Sequence, residues 1–228
     1  MWDLVADTRR LAYGSMSDQL NFLAQEAPEG AGELYFLMDI GSITPGMVLS
    51  CNLNVYYVIA TNPSEKKVTV YQSYDNSLAE ALPVGAPIMI RPRVTDWVLF
   101  NYLNDSVRAM SSPTYGLYRQ GSWTDDNPGI WNDYVIPSEA EDMTSLIRVS
   151  VQAYGSDEGW YELPPNAVVW QPEHGVVRLT TYAMRGRTVQ FDYKAPFKPA
   201  TGMTDDVVTD MGLAESMVDI PVLGAGAK

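Results

Sequence analysis

Between residues 147 and 153 apolar and polar side chains alternate without a break. Ile147, Val149, Val151 and Ala153 fall on one face, and Arg148, Ser150 and Gln152 on the other. A period of two is the repeat of a β-strand, whereas a helix would scatter these residues around its axis. Shorter apolar runs follow at 160–163, 168–171, 177–182 and 188–193. They are separated by Pro164-Pro165-Asn166, Glu173-His174-Gly175 and Arg185-Gly186-Arg187, residue types that reverse a chain. Short strands joined by tight turns predict a jelly-roll-like β-sandwich in the C-terminal half.

The first half carries a second block of the same kind. Residues 33–38, 47–51, 55–61, 68–71 and 87–90 are rich in Tyr, Val, Ile and Leu, with turn chemistry at Thr44-Pro45-Gly46 and Asn62-Pro63-Ser64-Glu65. They predict a small antiparallel sheet or barrel. Helical spacing frames this block. Leu4, Val5 and Leu11, followed by Leu20 and Leu23, recur at intervals near three, four and seven, with Asp3 as an N-cap and Gly14-Ser15 as a break. Thr95 and Asp96 open a second helix whose stripe is Phe100, Leu103, Val107 and Met110, with Trp97 a turn earlier, and Ser111-Ser112-Pro113 ends it. Near the C-terminus Asp219 precedes a helix starting near Pro221, a residue tolerated in a first turn.

The fold expected is therefore α+β, mainly β. It has an N-terminal helix, a small antiparallel β block, one central helix, a β-sandwich and a short helical C-terminus. The expected division is 1–113, 114–196 and a C-terminal docking segment, 197–228.

Composition narrows the function. The 228 residues carry 28 acids against 15 bases, a formal charge of −13, which argues against gripping a phosphate backbone. A single Cys51 and a single His174 exclude an intramolecular disulfide, a cysteine-based zinc site and a histidine cluster, so no metal or cofactor is expected. Asp3 and Asp7 interrupt the N-terminus as a signal peptide, and no uncharged apolar run nears the roughly 20 residues that span a bilayer.

Chemistry-bearing motifs are few. His174 sits in a turn beside Glu173 with no nucleophile motif, and Cys51 lies in a strand-like run without a nearby histidine. Asp125-Asp126-Asn127 with Gly129 resembles part of a calcium loop, but the alternating ligands and terminal Glu are missing. Trp123, Trp131, Trp160, Trp170, Tyr154, Tyr161 and Tyr182 crowd the second half as core, interface or, if exposed, sugar-stacking groups. Residues 121–142 hold six acids and no base and, with Asn127-Pro128-Gly129 inside, read as a solvated loop containing one short strand near Tyr134 to Ile136, while 176–198 hold five bases against Asp192 alone. The two segments can pair within the chain or across subunits. Arg185 and Arg187, in one tight turn, are candidates for intersubunit ion pairs. Ile220, Pro221, Val222 and Leu223 are candidates for an apolar docking element.

The order of features resembles a known family. Thr8-Arg9-Arg10-Leu11, Ile43-Thr44-Pro45-Gly46, Tyr56-Tyr57-Val58, Ile90-Arg91-Pro92-Arg93, Leu103-Asn104-Asp105 and Met110-Ser111-Ser112-Pro113 run in sequence. Tyr193-Lys194-Ala195-Pro196-Phe197, Asp205-Asp206-Val207 and Asp219-Ile220-Pro221-Val222-Leu223-Gly224-Ala225 complete the series. Over nearly its whole length the chain resembles the head-to-tail connector (adaptor) proteins of tailed phages, particularly those of actinobacterial hosts. That resemblance implies a non-enzymatic virion protein of the neck, a homo-oligomeric ring sharing the portal's twelvefold symmetry. Its C-terminal segment would meet the portal protein and its β domains a downstream connector, stopper or tail protein, with DNA passing through the channel unbound. Two rival expectations remain: another tail or collar component, or a carbohydrate-binding β-sandwich.

Overall fold

The computed structural model describes residues 1–14, 19–126, 132–153, 159–180 and 187–227. The fold is mixed α+β and mainly β. The chain forms two compact units: residues 1–107 with 199–228, and residues 108–198.

The first unit begins with α1 (Trp2–Tyr13), which buries Leu4, Val5 and Thr8 on one stripe and stops at Gly14, where φ is 70°. Asp3 lies in the first turn of α1, and Met1 takes the N-cap position. Six strands follow: β1 (Gln19–Phe22), β2 (Glu33–Tyr35), β3 (Val48–Cys51), β4 (Asn54–Asn62), β5 (Lys67–Gln72) and β6 (Pro87–Ile90). The helical reading of Leu20 and Leu23 is thereby corrected. Both belong to an extended segment in which β1 pairs antiparallel with β6, a partner far away in sequence.

The sheet order is β1-β6-β3-β4-β5-β2, and its two ends meet. Leu23 bridges Phe36, Ala24 N–H donates to Tyr35 O at 2.7 Å, and Leu37 N–H donates to Phe22 O at 2.9 Å. The result is a small closed barrel, which removes the open edges a flat sheet would present. Leu34, Leu49, Tyr56, Val58, Val68 and Ile88 fill its interior. Fully burying each such side chain contributes about 1.5–3 kcal/mol.

A polar network closes one end of the barrel. Fully buried Asn54 accepts through Oδ1 from Glu80 N–H (2.7 Å) and from Gln72 Nε2 (3.0 Å), and Val55 N–H donates to Ser77 Oγ (3.0 Å). These bonds hold a segment in which Ser73, Asp75 and Asn76 all adopt positive φ, a conformation that Asn and Asp tolerate better than most residues.

The helix α2 (Asp96–Met110) opens as expected, with Thr95 Oγ1 accepting from Val98 N–H at 3.3 Å, and Phe100, Leu103, Val107 and Met110 are all buried. Arg9 of α1 pairs with Asp96 at 2.6 Å. Asn104 and Ala200 exchange two hydrogen bonds, tying 199–228 to the helix. In the same segment Asp205 accepts from Thr201 N–H (2.6 Å), Thr201 Oγ1 (3.0 Å) and Gly202 N–H (3.1 Å). The Thr201 backbone bond is the leading cause that holds this carboxyl below its ordinary value. A depressed folded pKa gives stability that is complete above the unfolded value and is lost as pH falls through the folded one. Urea unfolding should therefore show wild type ahead of Asp205→Asn at neutral pH and the gap narrowing in acid.

The second unit contains β7 (Arg119–Asp125), β8 (Asp133–Val135), β9 (Ser145–Gln152), β10 (Trp160–Glu162), β11 (Val168–Gln171), β12 (Val176–Leu179) and β13 (Val189–Ala195). They form two antiparallel sheets, β10-β9-β13-β7 and β11-β12-β8, which share one core around Phe191, Tyr134, Val149, Val177 and Val189. The expectation of a loop over 121–142 is corrected at its start, because residues 121–125 belong to β7 and pair with β13. The alternation along 147–153 also needs one correction. A bulge opposite Asp192 and Tyr193 shifts the register, so Leu146 packs on the core and Ile147 turns outward.

The third helix, α3 (Asp219–Gly226), starts at Asp219 with Val218 as its N-cap residue and packs on α1 within the first unit.

Candidate interaction surfaces

The four C-terminal candidates divide by helical geometry. Pro221 and Val222 are buried with Ala225, whereas Ile220 and Leu223 are exposed, Leu223 by 61%. Two glycines allow the close approach. A Cβ on Gly224 would run into Ser106 Oγ, and one on Gly226 would come within 2.9 Å of Leu11 Cδ2. Between α1 and α3 lies a groove of about 480 Å³, with Leu11, Val222 and Leu223 in its walls and Asp7, Arg10 and Asp219 among them. Arg10 and Asp7 are paired at 2.6 Å.

Of the two arginine candidates, Arg185 lies outside the described residues, and Arg187 is half-buried and partnered. The charge contrast between 121–142 and 176–198 is met within the chain at Arg178, which forks onto both carboxylate oxygens of Asp133 at 2.6 and 2.9 Å. This hydrogen bonding holds Asp133 below the usual carboxylate range. Arg119 reaches both oxygens of Asp142 from Nη2 alone, at 2.6 and 2.7 Å, and Arg148 lies 2.7 Å from Asp192.

The sequence's chemical candidates remain apart. His174 ends an exposed turn with its Nε2 4.0 Å from Glu173. Cys51 is buried in the barrel, and desolvation pushes its thiol up to about 12. Asp125 ends β7, while Asn127 and Gly129 lie outside the described residues. Among the described residues no three His, Cys, Asp or Glu side chains cluster as metal ligands. No described helix is long and apolar enough to cross a membrane.

The aromatic residues serve two ends. Trp123 stacks on Phe191 at 4.6 Å and Trp170 packs against the same core, each with an indole N–H that meets no acceptor among the described residues. Trp160 and Tyr161 are exposed, Tyr161 by 63%. Trp131, Tyr154 and Tyr182 lie outside the described residues. The outer face of the four-stranded sheet forms a trough of about 520 Å³ along Gln120, Ser122, Arg148, Glu162 and Asp192.

Sequence reasoning missed the barrel's own surface. Leu20 and Phe22 point outward from β1 because Asn21 and Leu23 between and beyond them are buried. Asn21 Oδ1 accepts from Met38 N–H at 3.2 Å, which brings exposed Met38 and Leu37 to the same seam. On the β4–β5 side, exposed Tyr57 pairs in register with Tyr71 and stacks on Tyr74 at 5.3 Å. The signal for these patches was the alternation within each strand; the seam itself required knowing that β1 closes the barrel.

No protein-family model matches this chain, and no curated protein matches it.

Proposed function

We propose that this chain is a non-enzymatic structural protein of a tailed-phage neck. In this reading it is the head-to-tail adaptor of the virion, a homo-oligomeric and dodecameric ring that joins the portal to the next connector, stopper or tail protein. The ring contributes to the DNA channel. The order of motifs along nearly the whole chain supports this reading. On the molecule itself, the observation that carries it is the apolar seam of the barrel, where Leu20, Phe22, Leu37 and Met38 stand exposed together. Contiguous exposed apolar side chains mark surfaces that another protein covers. The charge of −13 suits a ring through which DNA slides without being held.

Cryo-electron microscopy of a virion neck containing this protein tests the assignment. The expected result is a ring against the portal, with the barrel seams at the contacts between copies and residues 205–227 toward the portal. Density elsewhere in the tail would make the chain a stopper, tail-completion or minor tail protein, and absence from the particle would end the structural reading.

One observation favours a second reading, a carbohydrate-binding module. The outer trough of the four-stranded sheet is lined by Gln120, Ser122, Arg148 and Asp192. Exposed Trp160, paired with Gln152, stands at the edge strand of that sheet. Hydrogen-bonding side chains with an aromatic ring are what a sugar needs. A glycan array silent at millimolar ligand would remove it.

A further inference from the structure

In the second unit, strand β9 is longer than the neighbour on its outer side. The strand β10 covers only Ser150 to Gln152, and the last bond on that side runs from Leu163 N–H to Val149 O at 2.8 Å. Pro164 and Pro165 then carry the chain away, and proline has no N–H with which to continue a ladder. From Ser145 to Arg148 no described strand pairs with β9 on the side away from β13. A groove of about 320 Å³ lies along this stretch. Five consecutive β9 residues line it, from Ser145 to Val149. Successive side chains of a strand point to opposite faces, so a run of five identifies the strand's edge, and not one of its faces, as the wall. The opposite wall is apolar, built by Leu163, Pro165, Val168 and Trp170.

The charges at the rim are unequal. Arg148 is closed onto Asp192, whereas Glu162, at the end of β10, is exposed and makes no ion pair with a described residue. The rim therefore offers one uncompensated carboxylate, on a chain whose total charge of −13 disfavours an acidic partner or a second copy of itself.

We propose that this groove is a strand-addition site for an extended segment of a partner protein, with apolar side chains at alternate positions and a lysine or arginine that reaches Glu162. The segment takes the place that β10 leaves empty. Its backbone pairs with β9 at 145–148, its apolar side chains enter the groove, and its base neutralises the rim. Main-chain pairing supplies affinity, and the pockets for alternate side chains supply selectivity. The proposal stands on this unit alone and is independent of the ring.

The test uses the full chain and a fluorescein-labelled heptapeptide, KITVTIK, beside the same peptide N-methylated at alternate amides. Fluorescence anisotropy should show saturable binding of the unmodified peptide. Glu162→Lys, a change at an exposed position, should weaken that binding roughly tenfold, as the loss of a close charge pair does. N-methylation should weaken it as much or more, and hydrogen exchange of amides in 145–149 should slow when the peptide is bound. The proposal is overturned by no binding up to millimolar peptide, by equal binding of the N-methylated form, or by protection that spares 145–149. Protection of 145–149 that grows with the concentration of the chain alone would assign the edge to a second copy and equally overturn the partner.

Discussion

Replacing Gly121 with valine should destabilise the second unit by about 1–3 kcal/mol, the range for forcing volume into a packed site. The ring of Tyr193 lies directly over Gly121. A Cβ placed there would stand 2.8 Å from Cε1, with the ring's Cζ and the hydroxyl oxygen closer still. The ring has nowhere to swing. Its hydroxyl donates to Glu139 O at 3.1 Å, the Arg119 guanidinium sits 5.9 Å from its centroid, and Trp123 packs against it at 5.5 Å. Urea unfolding followed by tryptophan fluorescence reads the effect, since Trp123 shares the site. Ser122→Val, one residue along on the exposed face, is the control and should be near neutral, because a β-branched residue suits a strand. An unchanged midpoint for Gly121→Val would mean that Tyr193 is not fixed as described.

Asn54→Ala should cost the barrel about 2–4 kcal/mol. Its Oδ1 is the acceptor for two donors, Glu80 N–H and Gln72 Nε2, at a fully buried position. A buried donor left without a partner costs about 1–3 kcal/mol. Gln72 keeps weaker contacts to Tyr56 Oη and Glu80 O at 3.3 and 3.4 Å, so the Glu80 amide bears most of the loss. The segment through Ser73, Asp75 and Asn76 is held in positive φ by the structure around it, and loosening its far end should release it. Limited proteolysis should then cut first within 73–82, and the urea midpoint should fall. A variant that unfolds like wild type and resists cleavage there would show that the network does not hold this segment.

Much of the fold was legible because local pattern and global pairing agree. The stripe of α2 and the alternation around Val149 and Val151 each point at the core that receives them. The failures have the opposite character. The strand β1 reads as helix because Leu20 and Leu23 are three apart and its residues include no β-branched type; pairing with β6, some seventy positions away, decides it. From residue 121 onward β7 reads as loop because Gly-Ser-Trp-Thr-Asp has little apolar content, yet all seven residues of the strand pair with β13. Ile147 breaks the alternation through a one-residue bulge that no periodicity can announce.

The candidate surfaces were less legible than the fold. Of the C-terminal apolar run, the sequence cannot tell which side chains α1 covers. Exposure is set by helix phase and by the glycines that admit Ser106 and Leu11, so Pro221 and Val222 go inward while Ile220 and Leu223 stay out. The bare β9 edge depends on two prolines ending β10 early, visible as residues but not as a consequence.

The second unit interrupts the first, whose last contributing residues begin at 199. The barrel takes all its strands from residues 19–90 and the second unit takes its strands from 119–195, so each sheet structure is built from an uninterrupted stretch, whereas the ties to Asn104 and α1 come from residues 199–227. Barrel and sandwich can therefore each settle without that stretch, which acts as a clasp on α1 and α2. Released chains cut at residue 198 should keep a protease-resistant barrel and sandwich while α1 becomes the first site of cleavage.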